Sequence, residues 1–276
     1  MLKQRLLTAL ILIPLVVWAV LGLSTNTLAW VLALFVVLAS WEWGHLVGLT
    51  STAGRIGYTL LVEALLLLAY VLSQAFAGFA ELIFILAGLW WLVVTGWVLR
   101  YHGGTGIKPS DTTIGMIAGV MVLVPTWLAL TRIHDFPDAG PYLMLFVMVL
   151  IWAADSGAYF VGRKLGRHKL APAVSPGKTV EGVFGGLAAA GVFALICAFG
   201  FDLPTLDVVG FVLLSLVVVL FSVVGDLLES MFKRRVGLKD SGQILPGHGG
   251  MLDRIDSLTA AAPIFALGLN LFGGGK

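Results

Sequence analysis

The sequence predicts an all-α protein that crosses a membrane several times, and two observations support this. Hydrophobic residues make up 59% of the 276 residues and charged residues only 12%, whereas charged residues form about a quarter of a soluble domain. The apolar residues also lie in long runs, and the mean hydropathy is +1.01. We therefore expect membrane lipid around the chain and no nucleic-acid partner.

Nine apolar runs are long enough to form membrane helices, since about 20 residues in a helix cross the hydrocarbon layer. The first run follows a basic N-terminus and starts like a signal peptide. It has no small-residue cleavage site, so it is interpreted as an anchor. The predicted helices lie near residues 6–23, 28–48, 57–75, 79–99, 113–130, 142–162, 182–201, 208–230 and 255–273.

The distribution of Lys and Arg predicts the orientation of these helices, because positive residues gather in loops on the cytoplasmic side. If the N-terminus is cytoplasmic, 15 of the 17 Lys and Arg residues fall on that side. Only Arg132 and Lys276 then lie on the other side. We therefore expect the N-terminus inside, the C-terminus outside and the chemistry at the cytoplasmic face.

Polar residues divide the chain into two parts of one integral membrane unit. Residues 1–110 are predicted to be a transmembrane scaffold, in which Glu42, between Trp41 and Trp43, is the carboxylate retained as a candidate. Residues 111–276 are predicted to be the catalytic part. A charged residue in the middle of a membrane helix costs about 2.5–3.5 kcal/mol, so such residues usually face a protein interior or a wet cavity. Six carboxylates lie at the cytoplasmic ends of predicted helices: Asp155, Glu181, Asp226, Glu229, Asp253 and Asp256.

The stretch around Ser230 to Asp256 combines carboxylates, cations and a glycine-rich turn. Asp226 and Glu229 are three residues apart, as are Asp253 and Asp256, so each pair shares a helix face. The glycines let the backbone approach a ligand closely. Together these groups suit a phosphate-rich ligand with a metal ion, and since no histidine spacing indicates zinc, oxygen ligands favour magnesium. The cations are Lys233, Arg234, Arg235, Lys239 and Arg254, and the turn contains His248, Gly249 and Gly250.

A second polar segment runs from Asp155 to Gly182. Ser175-Pro-Gly-Lys-Thr brings Lys178 to the start of the seventh helix, where free amides and the helix dipole favour an anion. The Gly-Lys-Thr letters resemble the end of a nucleotide-hydrolase phosphate loop. Pro172 stands where that motif needs its first glycine, and no preceding strand is expected. We therefore retain only the anion site, with Asp155, Ser175 and Lys178 as candidate binding residues.

Sixteen residues of the Ser230 to Asp256 stretch match, in order and spacing, the motif of the phosphatidate cytidylyltransferase (CDP-diacylglycerol synthase) family. They are Ser230, Phe232, Lys233, Arg234, Lys239, Asp240, Gly242, Leu245, Pro246, His248, Gly249, Gly250, Met251, Asp253, Arg254 and Asp256. The chain resembles this family over nearly its whole length, least clearly before residue 110. The resemblance implies transfer of a cytidylyl group from CTP to phosphatidic acid, giving CDP-diacylglycerol and pyrophosphate for phospholipid biosynthesis. It also implies a bacterial inner membrane as the location.

The resemblance further implies a magnesium ion, a second cation being left open, and roles for the polar residues. The expected metal ligands are Asp226, Asp253, Glu229 and Asp256. The expected catalytic residues are Asp226, Asp253, Asp256 and Lys239. The expected substrate-binding residues are Lys178, Ser175, Lys233, Arg234, His248, Gly249, Gly250, Arg254 and Asp155.

Three other functions compete with this interpretation. An intramembrane aspartyl protease is disfavoured because the first glycine of its motif is Val223 here. A divalent-cation transporter would carry polar groups to both membrane faces. Another lipid-phosphate enzyme that uses CTP is the remaining alternative. The small residues from Gly185 to Gly191 fit either a homodimer contact or internal packing.

Overall fold

The computed structural model describes residues 2–101, 112–201, 205–244 and 249–273. These ranges form nine helices and one two-stranded hairpin, which confirms the predicted all-α polytopic class. The helices are α1 (Leu2–Gly22), α2 (Thr25–Leu46), α3 (Thr52–Ala75), α4 (Phe79–Leu99), α5 (Thr112–His134), α6 (Gly140–Leu165), α7 (Val180–Gly200), α8 (Thr205–Arg235) and α9 (Leu252–Gly273). The strands are β1 (Lys169–Ala171) and β2 (Ser175–Thr179).

Seven of the helices in the described ranges, α2 to α8, are long and apolar enough to cross a membrane. The first helix contributes a shorter apolar stretch, Leu10–Gly22. The same criterion, applied to the described residues, does not include α9. The protein is therefore an integral, multi-pass membrane protein, and the orientation of its termini stays a prediction.

The last helix, α9, lies at the centre of the bundle, where it packs against α2, α4, α5, α6 and α8. Ala260, Ala261, Ala262 and Phe265 are completely buried there. Small side chains let neighbouring helices approach closely in a membrane. Consequently the start of α9, with its carboxylates, is held against several other helices.

The closest helix pair is α6 and α7, which meet at glycines. A Cβ atom added to Gly157 would lie 2.6 Å from the Cβ of Ala189 and from the carbonyl oxygen of Gly185. A Cβ atom added to Gly186 would lie 2.9 Å from the carbonyl oxygen of Ala154. Gly185 and Gly186 therefore pack against α6 inside the protomer, so these two glycines do not indicate a homodimer contact.

The hairpin was not expected from the sequence, because Ser-Pro-Gly-Lys-Thr reads as a loop. Its strands are antiparallel, with Lys169 opposite Thr179. Thr179 also caps α7, because its Oγ1 accepts a hydrogen bond from the backbone N–H of Gly182 at 3.1 Å. The hairpin thus fixes Lys178 directly before α7, as the anion-site prediction requires.

Candidate active site

One ion pair joins the hairpin to α8. The ammonium of Lys178 lies 2.7 Å from Oδ2 of Asp226, and about a quarter of each side chain is exposed. Oδ1 of Asp226 accepts a hydrogen bond from Ser230 Oγ at 3.1 Å, one turn further along α8. The charges of Lys178 and Asp226 also act on Asp155 of α6. Three elements therefore bring a cation and two carboxylates together.

A cavity of about 430 Å³ lies between α6, α7, α8 and β2, next to this ion pair. Asp155, Lys178 and Ser222 supply polar atoms to its wall, and Gly162 and Gly182 also line it. Ligand sites in proteins are usually clefts of this kind, with a few polar groups in an apolar wall. The cavity is thus a candidate substrate site.

A second cation lies deeper, between α8 and α9. Nζ of Lys233 contacts Oδ1 of Asp253 at 2.7 Å and Oε1 of Glu229 at 3.2 Å, and 8% or less of each of these three side chains is exposed. A buried charge is tolerated when opposite charges surround it. Lys233, which was expected to bind phosphate, is therefore committed to two carboxylates in this structure.

The carboxylate of Asp253 is fully engaged by the backbone and side chains around it. Its Oδ2 accepts hydrogen bonds from Ser241 N at 2.8 Å, Ser241 Oγ at 3.0 Å and Gly250 N at 2.8 Å, and its Oδ1 accepts from Lys233 at 2.7 Å. Gly249 has a positive φ of 83°, and a Cβ atom added there would lie 2.6 Å from Asp253 Oδ2. Glycine at this position therefore lets the backbone wrap closely around Asp253.

The two acidic helices touch where the carboxylates converge. A Cβ atom added to Gly225 of α8 would lie 2.5 Å from the carbonyl oxygen of Asp256 in α9. The charge of Asp226 acts on Asp256, and the charges of Asp253 and Asp256 act on Glu229. Oδ1 of Asp256 accepts a hydrogen bond from Ser257 N at 2.7 Å. All four candidate metal ligands thus belong to one electrostatic cluster.

These carboxylates fit a hard divalent cation when phosphate oxygens join them. Within the described ranges, no group of three or more His, Cys, Asp or Glu side chains is placed to hold a metal ion by itself, since Lys233 lies between Glu229 and Asp253. Oε1 of Glu229 has Lys233 as its ion-pair partner, and Oε2 is buried without a hydrogen-bond partner. Magnesium is commonly bound by one or two carboxylates together with substrate phosphates. The residues therefore suit a magnesium site that a nucleotide completes, not a preformed cage of four carboxylates.

The comparisons with known proteins agree with this chemistry. Residues 3–272 match a family profile described as "Cytidylyltransferase family". The chain belongs to this cytidylyltransferase family. It is similar to the phosphatidate cytidylyltransferase of Pseudomonas aeruginosa, with 44% identity over 267 residues and 96% of each chain covered. It is 40% identical over 283 residues to the protein of that name in Haemophilus influenzae, which covers 96% of this chain and 98% of the relative. A Bacillus subtilis protein of the same name is 45% identical over 141 residues, about half of each chain.

Other predicted site residues of this cytidylyltransferase lie outside the cluster. Lys239 and Arg254 are exposed. Arg234 donates to two backbone carbonyls, of Val174 at 3.2 Å and of Leu238 at 3.1 Å, so it joins the hairpin to the end of α8. Ser175, the first residue of β2, is half-buried, Gly249 and Gly250 contact Asp253 as described above, and His248 lies outside the described residues.

The cavity that contains Lys178 is called the polar cavity below. A second, mostly apolar cavity of about 630 Å³ lies beside it. It is bounded by α4, β1, α7 and α8, and Leu92, Leu170 and Leu220 line it. Val183 and Val223 line both cavities. In this cytidylyltransferase a polar and an apolar cavity thus meet at the same two side chains.

The site also contains one carboxylate that received no role from the sequence. Glu42 of α2 is only 3% exposed and accepts hydrogen bonds from the start of α9 and from Ser241. Its position between two tryptophans was the available signal. Nothing in the local sequence indicated its partners, which follow about two hundred residues later in the chain.

Proposed function

We propose that this chain transfers a cytidylyl group from CTP to phosphatidic acid and releases pyrophosphate, which yields CDP-diacylglycerol for phospholipid biosynthesis. Two relatives that match nearly the whole chain are named phosphatidate cytidylyltransferases. The structural observation that supports this most directly is the accessible Lys178–Asp226 pair beside a cavity within the membrane bundle. There a phosphate group can meet a cation and carboxylates together.

The reaction joins two polyanions, so charge neutralisation is its main requirement. A phosphate oxygen of phosphatidic acid attacks the α-phosphorus of CTP, and the bond from that phosphorus to the oxygen of the β-phosphate breaks. The attacking oxygen is already anionic, so no general base is needed. Positioned cations lower the barrier by stabilising the charge that develops on the transferred group and the leaving group. Lys178 is the accessible ammonium at the cavity wall that serves this purpose.

Magnesium is proposed as the cofactor, bound by one or two carboxylates of the cluster formed by Asp226, Asp253, Asp256 and Glu229 together with phosphate oxygens of the substrates. When bound, the ion neutralises phosphate oxygens and polarises the phosphorus. Asp226 is more accessible than Asp253 and Glu229, since 27% of its side chain is exposed against 7% and 2%. Lys178 can then exchange Asp226 for a phosphate oxygen, because a partly exposed ion pair is weaker than a buried one.

The apolar cavity suits an acyl chain of the lipid substrate. It adjoins the polar cavity at Val183 and Val223, so a lipid could place its phosphate on the polar side and a chain on the apolar side. Transfer of each buried CH₂ group from water is favourable by about 0.8 kcal/mol. The acyl chains would thus remain in an apolar environment while the phosphate reaches CTP.

The proposed location is the bacterial inner membrane, with the site facing the cytoplasm. The lysine and arginine distribution supports this orientation, and CTP is water-soluble. A homodimer is a further prediction, for which the molar mass of the purified protein in detergent is the test.

Incubating the purified protein with magnesium, radiolabelled CTP and a series of lipid acceptors tests the function. We expect labelled CDP-diacylglycerol from phosphatidic acid and loss of the product when Asp226 is replaced by Asn. Label appearing only in a different lipid phosphate would favour the alternative CTP-using enzyme. No labelled lipid with any acceptor would contradict both and favour a divalent-cation transporter.

A further inference from the structure

We infer that Glu42 is a positioning residue for the proposed cytidylyl transfer, acting from the N-terminal part of the chain on Asp253. The inference rests on the proposed function. Glu42 lies in α2, and its carboxylate contacts the start of α9. One of its partners there, Met251, lies 209 residues later in the sequence. No substrate group is needed to explain its burial, because the protein itself supplies its partners.

The carboxylate of Glu42 caps α9 from outside that helix. Oε1 accepts a hydrogen bond from Met251 N at 3.0 Å, and Oε2 accepts from Leu252 N at 2.9 Å. Amides at a helix start have no acceptor inside the helix, and a negative charge is favoured there by the helix dipole. Glu42 therefore fixes the position of the first turn of α9, which carries Asp253.

Ser241 connects Glu42 to Asp253 directly. Its Oγ lies 2.9 Å from Glu42 Oε2 and 3.0 Å from Asp253 Oδ2, and its backbone N–H donates to Asp253 Oδ2 at 2.8 Å. The hydroxyl has a single proton for two carboxylates, so the carboxylates compete for it and repel each other. Backbone amides on both sides and Lys233 on Asp253 offset that repulsion. The position of Asp253 thus depends on the presence and charge of Glu42.

Two glycines make room for this carboxylate. A Cβ atom added to Gly250 would lie 2.5 Å from both Glu42 oxygens, and one added to Gly242 would contact Glu42 Oε1. A larger residue at either glycine would displace the Glu42 carboxylate from the backbone N–H groups of Met251 and Leu252, which donate hydrogen bonds to it. The two backbone segments that donate to Asp253, at Ser241 and at Gly250, are therefore fitted to Glu42.

A purely structural role and a positioning role give different results. Loss of a structural contact lowers the melting temperature but leaves each folded molecule active. Loss of a positioning contact lowers the turnover of folded molecules, typically ~10–100-fold for a group behind a metal ligand. If Glu42 acts on Asp253 through Ser241, the losses in kcat caused by changing Glu42 and by changing Ser241 should not add in a double variant.

The experiment compares wild type, Glu42→Gln, Ser241→Ala and the double variant in detergent, with Tyr58→Phe as matched control. Tyr58 is 1% exposed and donates to Met116 O at 3.1 Å, so the control removes a different hydrogen bond, which joins α3 to α5. For each protein kcat, KM for CTP, equilibrium CTP binding in the presence of Mg²⁺ and melting temperature are measured. We expect a ~10–100-fold lower kcat for both single variants, no further loss in the double variant, and wild-type kcat for Tyr58→Phe.

Wild-type kcat and CTP binding in Glu42→Gln, or additive losses in the double variant, would overturn the inference. If Glu42→Gln does not fold, Ser241→Ala alone decides, because it removes one small side chain: wild-type kcat and CTP binding in it overturn the inference. If wild type itself makes no CDP-diacylglycerol, the proposed function fails. Weakened CTP binding in Glu42→Gln but not in Tyr58→Phe would still support the positioning role.

Discussion

At the scale of single residues, two lysines of this protein have the same charge and opposite surroundings. About a quarter of Lys178 and of its partner Asp226 is exposed, whereas Lys233 and its two partners are almost completely buried. An exposed ion pair contributes about 0–1 kcal/mol to stability and exchanges partners easily. A buried cation that moved away would leave its carboxylate partners buried and unpaired. Lys178 is therefore suited to bind substrate and Lys233 to hold the site together.

This contrast predicts opposite phenotypes for the two lysines. We expect Lys178→Ala to lower kcat/KM ~10²–10³-fold, the usual loss for one group that stabilises transition-state charge, with little change in melting temperature. Lys233→Met should instead cost about 3–5 kcal/mol of stability, because it leaves buried carboxylates unpaired. Steady-state kinetics and thermal unfolding in detergent measure both effects. A Lys233→Met protein as stable as wild type, or a fully active Lys178→Ala, would contradict this division of roles.

At the scale of helices and strands, the sequence predicted what depends on composition and missed what depends on distant contacts. Apolar length is a property of each segment alone, so the helices were predicted close to their observed bounds. The hairpin was missed because β2 contains Pro176 and Gly177 and is stabilised by pairing with β1. The burial of Lys233 could not be predicted, since its partner Asp253 belongs to a different helix. Glu42 was retained as a candidate, but its role could not be predicted, since its partners Met251 and Leu252 are distant in the sequence.

The contact between α6 and α7 gives a prediction at this scale. A Cβ atom at Gly185 would lie against Val161 and 2.9 Å from the carbonyl oxygen of Gly157, whereas one at Gly200 meets nothing within 4 Å. Both glycines are in α7. We expect Gly185→Ala to lower the melting temperature and the activity, since overpacking costs about 1–3 kcal/mol and α6 and α7 form walls of the polar cavity. Gly200→Ala is the matched control and should be neutral or slightly stabilising. Equal behaviour of the two variants would mean that the helices are not packed this closely.

At the scale of the whole molecule, the apolar cavity predicts a selective effect on long-chain substrates. Leu92 and Val93 are neighbours on α4 with similar exposed fractions, 59% and 64%, but only Leu92 lines the cavity. Leu92→Trp should raise KM for phosphatidic acid with long acyl chains and leave KM for a short-chain, water-soluble analogue unchanged. Val93→Trp should change neither. An unchanged KM for the long-chain lipid in Leu92→Trp would place the acyl chains elsewhere.

The orientation of the molecule in its membrane is a prediction from the positions of lysine and arginine, and it specifies which loops meet the cytoplasm. Positive residues are retained on that side, which places the exposed Lys239 inside and the exposed Asp135, after α5, outside. Cys197 is the single native cysteine, so in a Cys197→Ala background one new cysteine reports one position. A membrane-impermeant maleimide should label Asp135→Cys in intact spheroplasts and Lys239→Cys only in inverted vesicles. The proposed site would then open to the compartment that contains CTP. Labelling of both positions from the same side would mean that a different number of helices crosses the bilayer between them.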